Sequence, residues 1–197
     1  YLIFICTSFK DLESQKDLFK NAFRKSQKSL PKSFFLFPFS QETPEQAKFV
    51  GSSRSLILKT PNARIIFVGD LLEETNNPFP IFLNDLFRKK TLRISPRSIF
   101  YPVKTSDVLA FLTKTLFSFS YDKEVALVSS EVSPGAILGE IKKQVPEITF
   151  RVQDSGLERK NAIVTKKVYL AFDLANEIKK VISLYKPVLS QKKSFSR

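Results

Sequence analysis

Glycine is scarce in this chain: there are 5 in 197 residues, at positions 51, 69, 135, 139 and 156. No Gly-x-Gly-x-x-Gly occurs, so the turn that lets backbone close around a pyrophosphate is missing from the sequence. Histidine and methionine are absent, and the single cysteine is Cys6. One cysteine excludes an internal disulfide and a cysteine-based metal cluster, and without histidine the other common zinc ligand is gone. With no methionine, Tyr1 does not read as a translation start. No apolar run reaches the roughly 18 residues of a membrane span. The first residues are apolar but carry no basic leader and no small-residue cleavage site, so they do not read as a signal peptide. Together these absences predict a cytoplasmic protein with no resident metal and no membrane partner.

The chain is rich in apolar and basic residues. Hydrophobic residues make up 43% of it, including 20 Phe, enough for one good core and a small second lobe. The formal net charge is +13, from 32 basic and 19 acidic residues. Such a balance attracts nucleic acid, anionic surfaces or anionic metabolites. The basic residues are spread out, however. Lys10, Lys16, Lys20, Arg24, Lys25 and Lys28 lie along one predicted helix, and Arg88, Lys89 and Lys90 end another. The bland reading is a set of solvated helix faces and dipole-favoured helix ends. A polyanion bound through the basic surface is the second reading.

Residues 2–6 are continuously apolar, as a parallel strand between helix layers tends to be. Residues 13–28 predict a helix with Leu18, Phe19, Ala22 and Phe23 on its apolar stripe. Residues 34–39 predict the second strand. Thr43, Pro44 and Gln46 mark a helix start, with Thr43 as cap and Gln46 three residues later, and this helix runs to Lys59. Residues 63–68 predict a third strand, stopped by Gly69. Residues 1–69 thus read β-α-β-α-β with short connections, which predicts adjacent parallel strands.

Beyond Gly69 the texture changes. Residues 70–80 read as a polar loop, 81–90 as a short helix, and 92–94 and 99–103 as short strands. A helix follows over 106–117, capped by Thr105. A strand over 124–128 precedes a helix over 134–144, and a strand is expected at 148–152. Asp173 opens the last helix, which is expected to end at Lys186 and Pro187 before a frayed basic tail. The fold predicted is α/β, the distal part of a Rossmann-like parallel sheet followed by a smaller C-terminal α+β lobe. Its expected divisions are 1–75 for the partial Rossmann-like domain, 76–187 for the continuation and substrate-type lobe, and 188–197 for the tail.

The order of these segments resembles the extended short-chain dehydrogenase/reductase family, the nucleotide-sugar epimerases, dehydratases and reductases. Residues 2–8 look like that family's fourth strand, whose end runs beside the dinucleotide. Residues 34–40 look like the fifth, which ends on a catalytic Ser or Thr. Residues 63–70 look like the sixth strand and its glycine turn. Residues 102–110, with Pro102, Thr105, Asp107 and Ala110, are similar to the Pro-Thr-x-x-x-Asp-Leu-Ala segment of the dTDP-4-dehydrorhamnose reductase branch. The resemblance implies Cys6, Thr7, Ser8, Gly69 and Asp70 as cofactor-side residues, with NAD or NADP as cofactor. It implies Ser40 as a catalytic residue and Arg97 as a contact for a nucleotide diphosphate, for which a bidentate guanidinium is suited.

The family's acid/base pair is Tyr-x-x-x-Lys on the helix after the fifth strand, in which the Lys lowers the Tyr pKa so that it transfers a proton near neutrality. Overlaid on that motif, this chain has Phe49 at the Tyr position and Ser53 at the Lys position, and no Tyr lies between Tyr1 and Tyr101. The resemblance therefore implies an NAD(P)- or nucleotide-sugar-binding protein without the family's catalysis, with dinucleotide affinity weak or absent in this chain alone. It also implies that Ser40, Phe49, Ser53 and Gly69 surround one concavity. Two other readings stand beside it: an active epimerase or reductase with Tyr101 as a displaced proton donor, and a basic nucleic-acid-binding protein. Ser52 and Ser53 beside Arg54 are a lesser candidate for a phosphate site.

Overall fold

The computed structural model describes residues 2–6, 11–29, 32–73, 78–88, 91–118, 122–154 and 159–194. Thr7 and Ser8 lie outside the described residues.

Five parallel strands form the main sheet: β1 (Leu2–Ile5), β2 (Ser33–Pro38), β4 (Ala63–Val68), β8 (Glu124–Val128) and β11 (Lys167–Tyr169), in that order across the sheet. Pairing is parallel throughout, with Phe4 opposite Phe35, Phe35 opposite Ile65, and Ile66 opposite Val125. The first three strands are thus neighbours, as the β-α-β-α-β reading requires.

Successive side chains leave opposite faces of a strand, and the strand residues divide accordingly. Phe35, Phe37, Ile65 and Phe67 face helices α1 (Leu12–Ser29) and α2 (Pro44–Lys59). Phe34, Leu36, Ile66 and Val68 face α4 (Thr105–Ser118), through Val108 and Leu112. This explains the unbroken apolar runs of β2 and β4, since a strand covered on both faces needs no polar alternation; the edge strand β1, expected between helix layers, instead leaves Ile3 and Ile5 exposed.

The largest group of phenylalanines forms the layer under α1 and α2. The Phe19 ring meets Phe4 edge-on at 5.7 Å and Phe49 at 5.8 Å, and Phe49 meets Phe37 at 5.8 Å. Each such pair adds about 0.5–1.5 kcal/mol beyond its burial. Leu18, expected on the α1 stripe, is 56% exposed. At about 100° per residue it stands roughly 90° from the centre of the stripe that Phe19, Ala22, Phe23 and Ser26 define.

A second core joins α3 (Pro78–Arg88), α5 (Pro134–Gln144) and α6 (Leu174–Ser194), with Phe79, Leu83, Phe100, Ile137, Ile141 and Ile178 at its centre. Three small pairings complete the fold. They are β3 (Ser40–Gln41) with β10 (Lys160–Asn161), β5 (Asp70–Leu71) with β7 (Pro102–Val103), and β6 (Thr91–Arg93) with β9 (Arg151–Gln153).

Several expectations need correction. The loop expected over 70–80 holds β5 and the start of α3. Pro78 and Pro80 sit in a first helical turn, where a missing N–H costs no intrahelical bond. The strand expected over 99–103 shrinks to Pro102–Val103 with a bridge from Phe100 to Val132. The strand at 148–152 shifts to Arg151–Gln153. Strands β10 and β11 have no counterpart in the sequence reading. The last helix runs to Ser194, through Pro187, where a frayed tail was expected. An interior proline costs a helix about 3 kcal/mol and kinks it without having to end it. Thr105 donates both its N–H and its hydroxyl to Glu73, at 3.0 and 2.8 Å, so the carboxylate serves the start of α4.

Among the described residues no helix is long and apolar enough to cross a membrane.

Candidate functional site

In open parallel sheets, ligands bind outside the carboxyl ends of the strands. Here β2 delivers Ser40 to that edge, β4 delivers Gly69 and Asp70, and β8 delivers Ser129 to Glu131. The segment around Tyr101 and the β10 segment run across these ends and tie them together.

Ser40 and Tyr101 meet through one side chain. The Ser40 hydroxyl donates to Asn161 Oδ1 at 2.8 Å, and Asn161 Nδ2 donates to the Tyr101 hydroxyl at 3.0 Å. Tyr101 donates in turn to Glu131 Oε1 at 2.9 Å. Burial pushes the Tyr101 phenol up to about 12, the Glu131 hydrogen bond and negative charge add to this, and Asn161 pulls the other way. Ionising Tyr101, itself buried, would place a phenolate against a carboxylate. Tyr101 packs edge-on against Phe39 at 5.0 Å, and the Lys167 ammonium stands 5.4 Å from the Phe39 ring and 5.9 Å from the Tyr101 ring. Lys167 is exposed, as are Glu131 and Asn161, so this row of groups opens to solvent.

Gly69 and Asp70 serve the same assembly from within. A Cβ at Gly69 would lie 2.1 Å from the Tyr101 carbonyl oxygen, so only glycine lets β4 exit this close to the crossing segment. Asp70 is buried, accepts the Tyr101 N–H at 2.8 Å, and takes both terminal nitrogens of Arg159 at 3.0 and 2.5 Å. Arg159 also donates to the Ile99 carbonyl at 3.1 Å and stacks 5.3 Å from the Phe100 ring.

The remaining sequence candidates fall elsewhere. Cys6 is buried in the aromatic core at the end of β1, and its N–H bonds the Leu36 carbonyl at 3.0 Å. Arg97 is exposed on the turn closed by the Ser98 N–H bond to Ser95. The sequence reading expects Ser40, Phe49, Ser53 and Gly69 around one concavity. Phe49 and Ser53 line a groove between α1 and α2, and neither Ser40 nor Gly69 lines that groove. The reason is apolar: the Phe49 ring is drawn into the cluster with Phe19 and Phe37. Arg54 is committed to Glu124 at the amino end of β8, through its Nε and through Nη2 at 2.8 Å, which removes it from the serine pair.

A dinucleotide implied by this kind of fold finds little in the described candidates. The open side of Gly69 is filled by the protein's own backbone, the Asp70 oxygens are taken by Arg159 and Tyr101, and Cys6 is buried. These three residues do not fit a cofactor cradle. Among the described residues no group of three or more potential ligands is placed to hold a metal ion.

Four members of the site were not found from sequence: Glu131, Arg159, Asn161 and Lys167. Glu131 carried a usable signal, because it follows a buried strand just as Ser40 and Asp70 do. Arg159, Asn161 and Lys167 lie on or beside two- and three-residue strands that show no period.

No protein-family model matches the sequence, and no curated protein matches it significantly. Solved structures do match. An L-threonine dehydrogenase from Clostridium difficile superposes with a TM-score of 0.62 at 12% identity, covering 94% of this chain and 75% of that one. A dTDP-4-dehydrorhamnose reductase from Clostridium acetobutylicum gives 0.60 at 14% identity, covering 92% and 79%. A human epimerase family protein solved with NADPH gives 0.63 at 11%, covering 87% and 73%. The chain has the Rossmann-like fold of the extended short-chain dehydrogenases, reductases and epimerases. At these identities the likeness is one of fold.

Proposed function

We propose that the protein binds a nucleotide or nucleotide-sugar at the carboxyl edge of its sheet and lacks the proton-transfer chemistry of the enzymes whose fold it shares. The observation that carries this reading is the fate of the two overlay positions. Phe49 has no proton to give and Ser53 no charge, and both line the α1–α2 groove, which Ser40 does not. Positioned proton transfer is worth roughly 10²–10⁴ in rate, so turnover falls to near background.

At the edge itself, Ser40, Asn161, Tyr101, Glu131 and Lys167 offer hydroxyl, amide, carboxylate and ammonium groups in one row. Such groups suit a hydroxylated, phosphate-bearing ligand. Dinucleotide affinity in this chain alone is weak, because Gly69 and Asp70 are spent on internal packing. A second reading, an epimerase or reductase using Tyr101, draws on the Ser40–Asn161–Tyr101 link and the nearby Lys167 ammonium. Against it, the Tyr101 proton is already given to a carboxylate, which raises its pKa where the chemistry needs it lowered. The nucleic-acid reading draws on net charge alone.

Calorimetric titration of the chain with uridine and thymidine diphosphate sugars and with NAD(P)H separates these readings. Saturable nucleotide-sugar binding that Asn161→Ala abolishes is expected. NAD(P)H binding at micromolar affinity or tighter, about −8 kcal/mol, would overturn the weak-cofactor part. Turnover of nucleotide 4-keto sugars that Tyr101→Phe abolishes would overturn the loss of chemistry.

A further inference from the structure

The groove between α1 and α2 is a cavity of about 450 Å³, within the range of small-molecule clefts. Its walls are divided by chemistry. Phe19, Phe49 and Leu56 supply an apolar floor and flank, and Leu56 is 46% exposed. Lys16, Lys20 and Lys48 stand on the rim, against the single carboxylate of Glu45. Lys16 and Lys20 make only exposed pairs one turn away, with Glu13 and Asp17, and such pairs hold little energy. Lys48 has no anionic partner among the described residues.

Ser53 adds a second, independent observation. It is 1% exposed and lines the groove, yet its hydroxyl makes no hydrogen bond among the described residues. A helical serine ordinarily returns its hydroxyl to a carbonyl one turn back, as Ser52 does to Lys48 and Ser55 to Gly51. The Ser53 hydroxyl therefore keeps its donor and acceptor capacity for a polar group placed in the groove.

We propose that this groove binds an anionic single-chain amphiphile, with the apolar chain against Phe19, Phe49 and Leu56 and the acidic head among Lys16, Lys20, Lys48 and the Ser53 hydroxyl. Charge complementarity selects this occupant over a second copy of the chain, since two bodies of formal net charge +13 repel. The site is separate from the carboxyl edge of the sheet, so its failure leaves the nucleotide reading intact.

The test is calorimetry of the full chain with dodecanoate below its micelle concentration, with dodecyl maltoside as the neutral control. Saturable one-to-one binding of dodecanoate is expected, with none of the maltoside. Lys48→Glu is expected to weaken binding about tenfold or more, in line with loss of a charge-assisted hydrogen bond. Ser53→Leu, which fills the groove, is expected to abolish it. If Ser53→Leu fails to fold, the exposed Lys48→Glu carries the test alone. The proposal is overturned by absence of saturable binding, by equal binding of the maltoside, or by an unchanged affinity in Lys48→Glu. It is overturned equally by sedimentation showing a dimer that Leu56→Glu dissociates, because the groove would then be covered by a second copy.

Discussion

Replacing Arg159 by Met removes the cation that holds the crossing segment to the sheet. The Arg159 and Asp70 side chains are 8% and 3% exposed, so the pair is desolvated. Arg159 Nη1 and Nη2 both bond the carboxylate, and a further bond from Nη1 fixes the Ile99 carbonyl. Methionine keeps much of the stem and its packing near Phe100, so the variant isolates the charge. Asp70 is left with the Tyr101 N–H as its one remaining donor among those described. Breaking a buried ion pair from one side costs about 3–5 kcal/mol, mostly through the stranded charge. With total stabilities of roughly 5–15 kcal/mol, that is a large fraction of the fold. For a urea slope of about 2 kcal/mol/M, the midpoint falls by roughly 1.5–2.5 M. The double variant Asp70→Asn with Arg159→Met removes the stranded charge and keeps an acceptor for Tyr101, so it should recover at least half of the loss. Equilibrium urea unfolding of wild type, both single variants and the double closes the cycle. A loss below about 1 kcal/mol in Arg159→Met, or a double variant no more stable than that single, would refute the ion pair as the clamp of this site.

Three further outcomes follow from the same geometry. Folded Tyr101 titrates at about 12 against an unfolded phenol near 10, so its contribution to stability is constant below about pH 10 and is lost as pH rises from about 10 to about 12. Tyr101→Phe should remove that part of the slope, and Glu131→Gln should bring the late-titrating phenol, read by near-ultraviolet absorbance, back toward the ordinary value. Gly69→Ala should destabilise by about 3 kcal/mol or more, beyond usual overpacking, because the added methyl meets the Tyr101 backbone carbonyl rather than a movable side chain; thermal unfolding within a degree of wild type would contradict the close approach. Thr43→Ala should cost about 0.5–2 kcal/mol by opening the capping box in which Thr43 accepts from the Gln46 N–H and the Gln46 side chain accepts from the Thr43 N–H; urea unfolding reads it directly.

What the sequence made legible here follows the range of the forces involved. Strands β2, β4 and β8 announce themselves because a strand buried on both faces must be apolar throughout, and that demand is written in consecutive residues such as Ile65 to Val68. The α2 start is legible for the same local reason: Thr43 and Gln46 satisfy each other's backbone within four residues. The site obeys a different rule. Its bonds join Ser40 to Asn161 and Asp70 to Arg159, across separations of 121 and 89 residues, and nothing near Asn161 or Arg159 distinguishes them from solvated polar residues. The surroundings of Phe49 depend on packing that residue type alone does not carry. A residue-type overlay fixes which position faces a cleft only if the same face of the helix is buried, and twenty phenylalanines compete for that burial. The Phe49 ring packs edge-on against Phe19 and Phe37, and the polar groups bonded to Ser40 come from later segments. The chemistry of this fold's carboxyl edge is therefore set by the lengths and docking of the connections that cross it, Tyr101 and Asn161 above all.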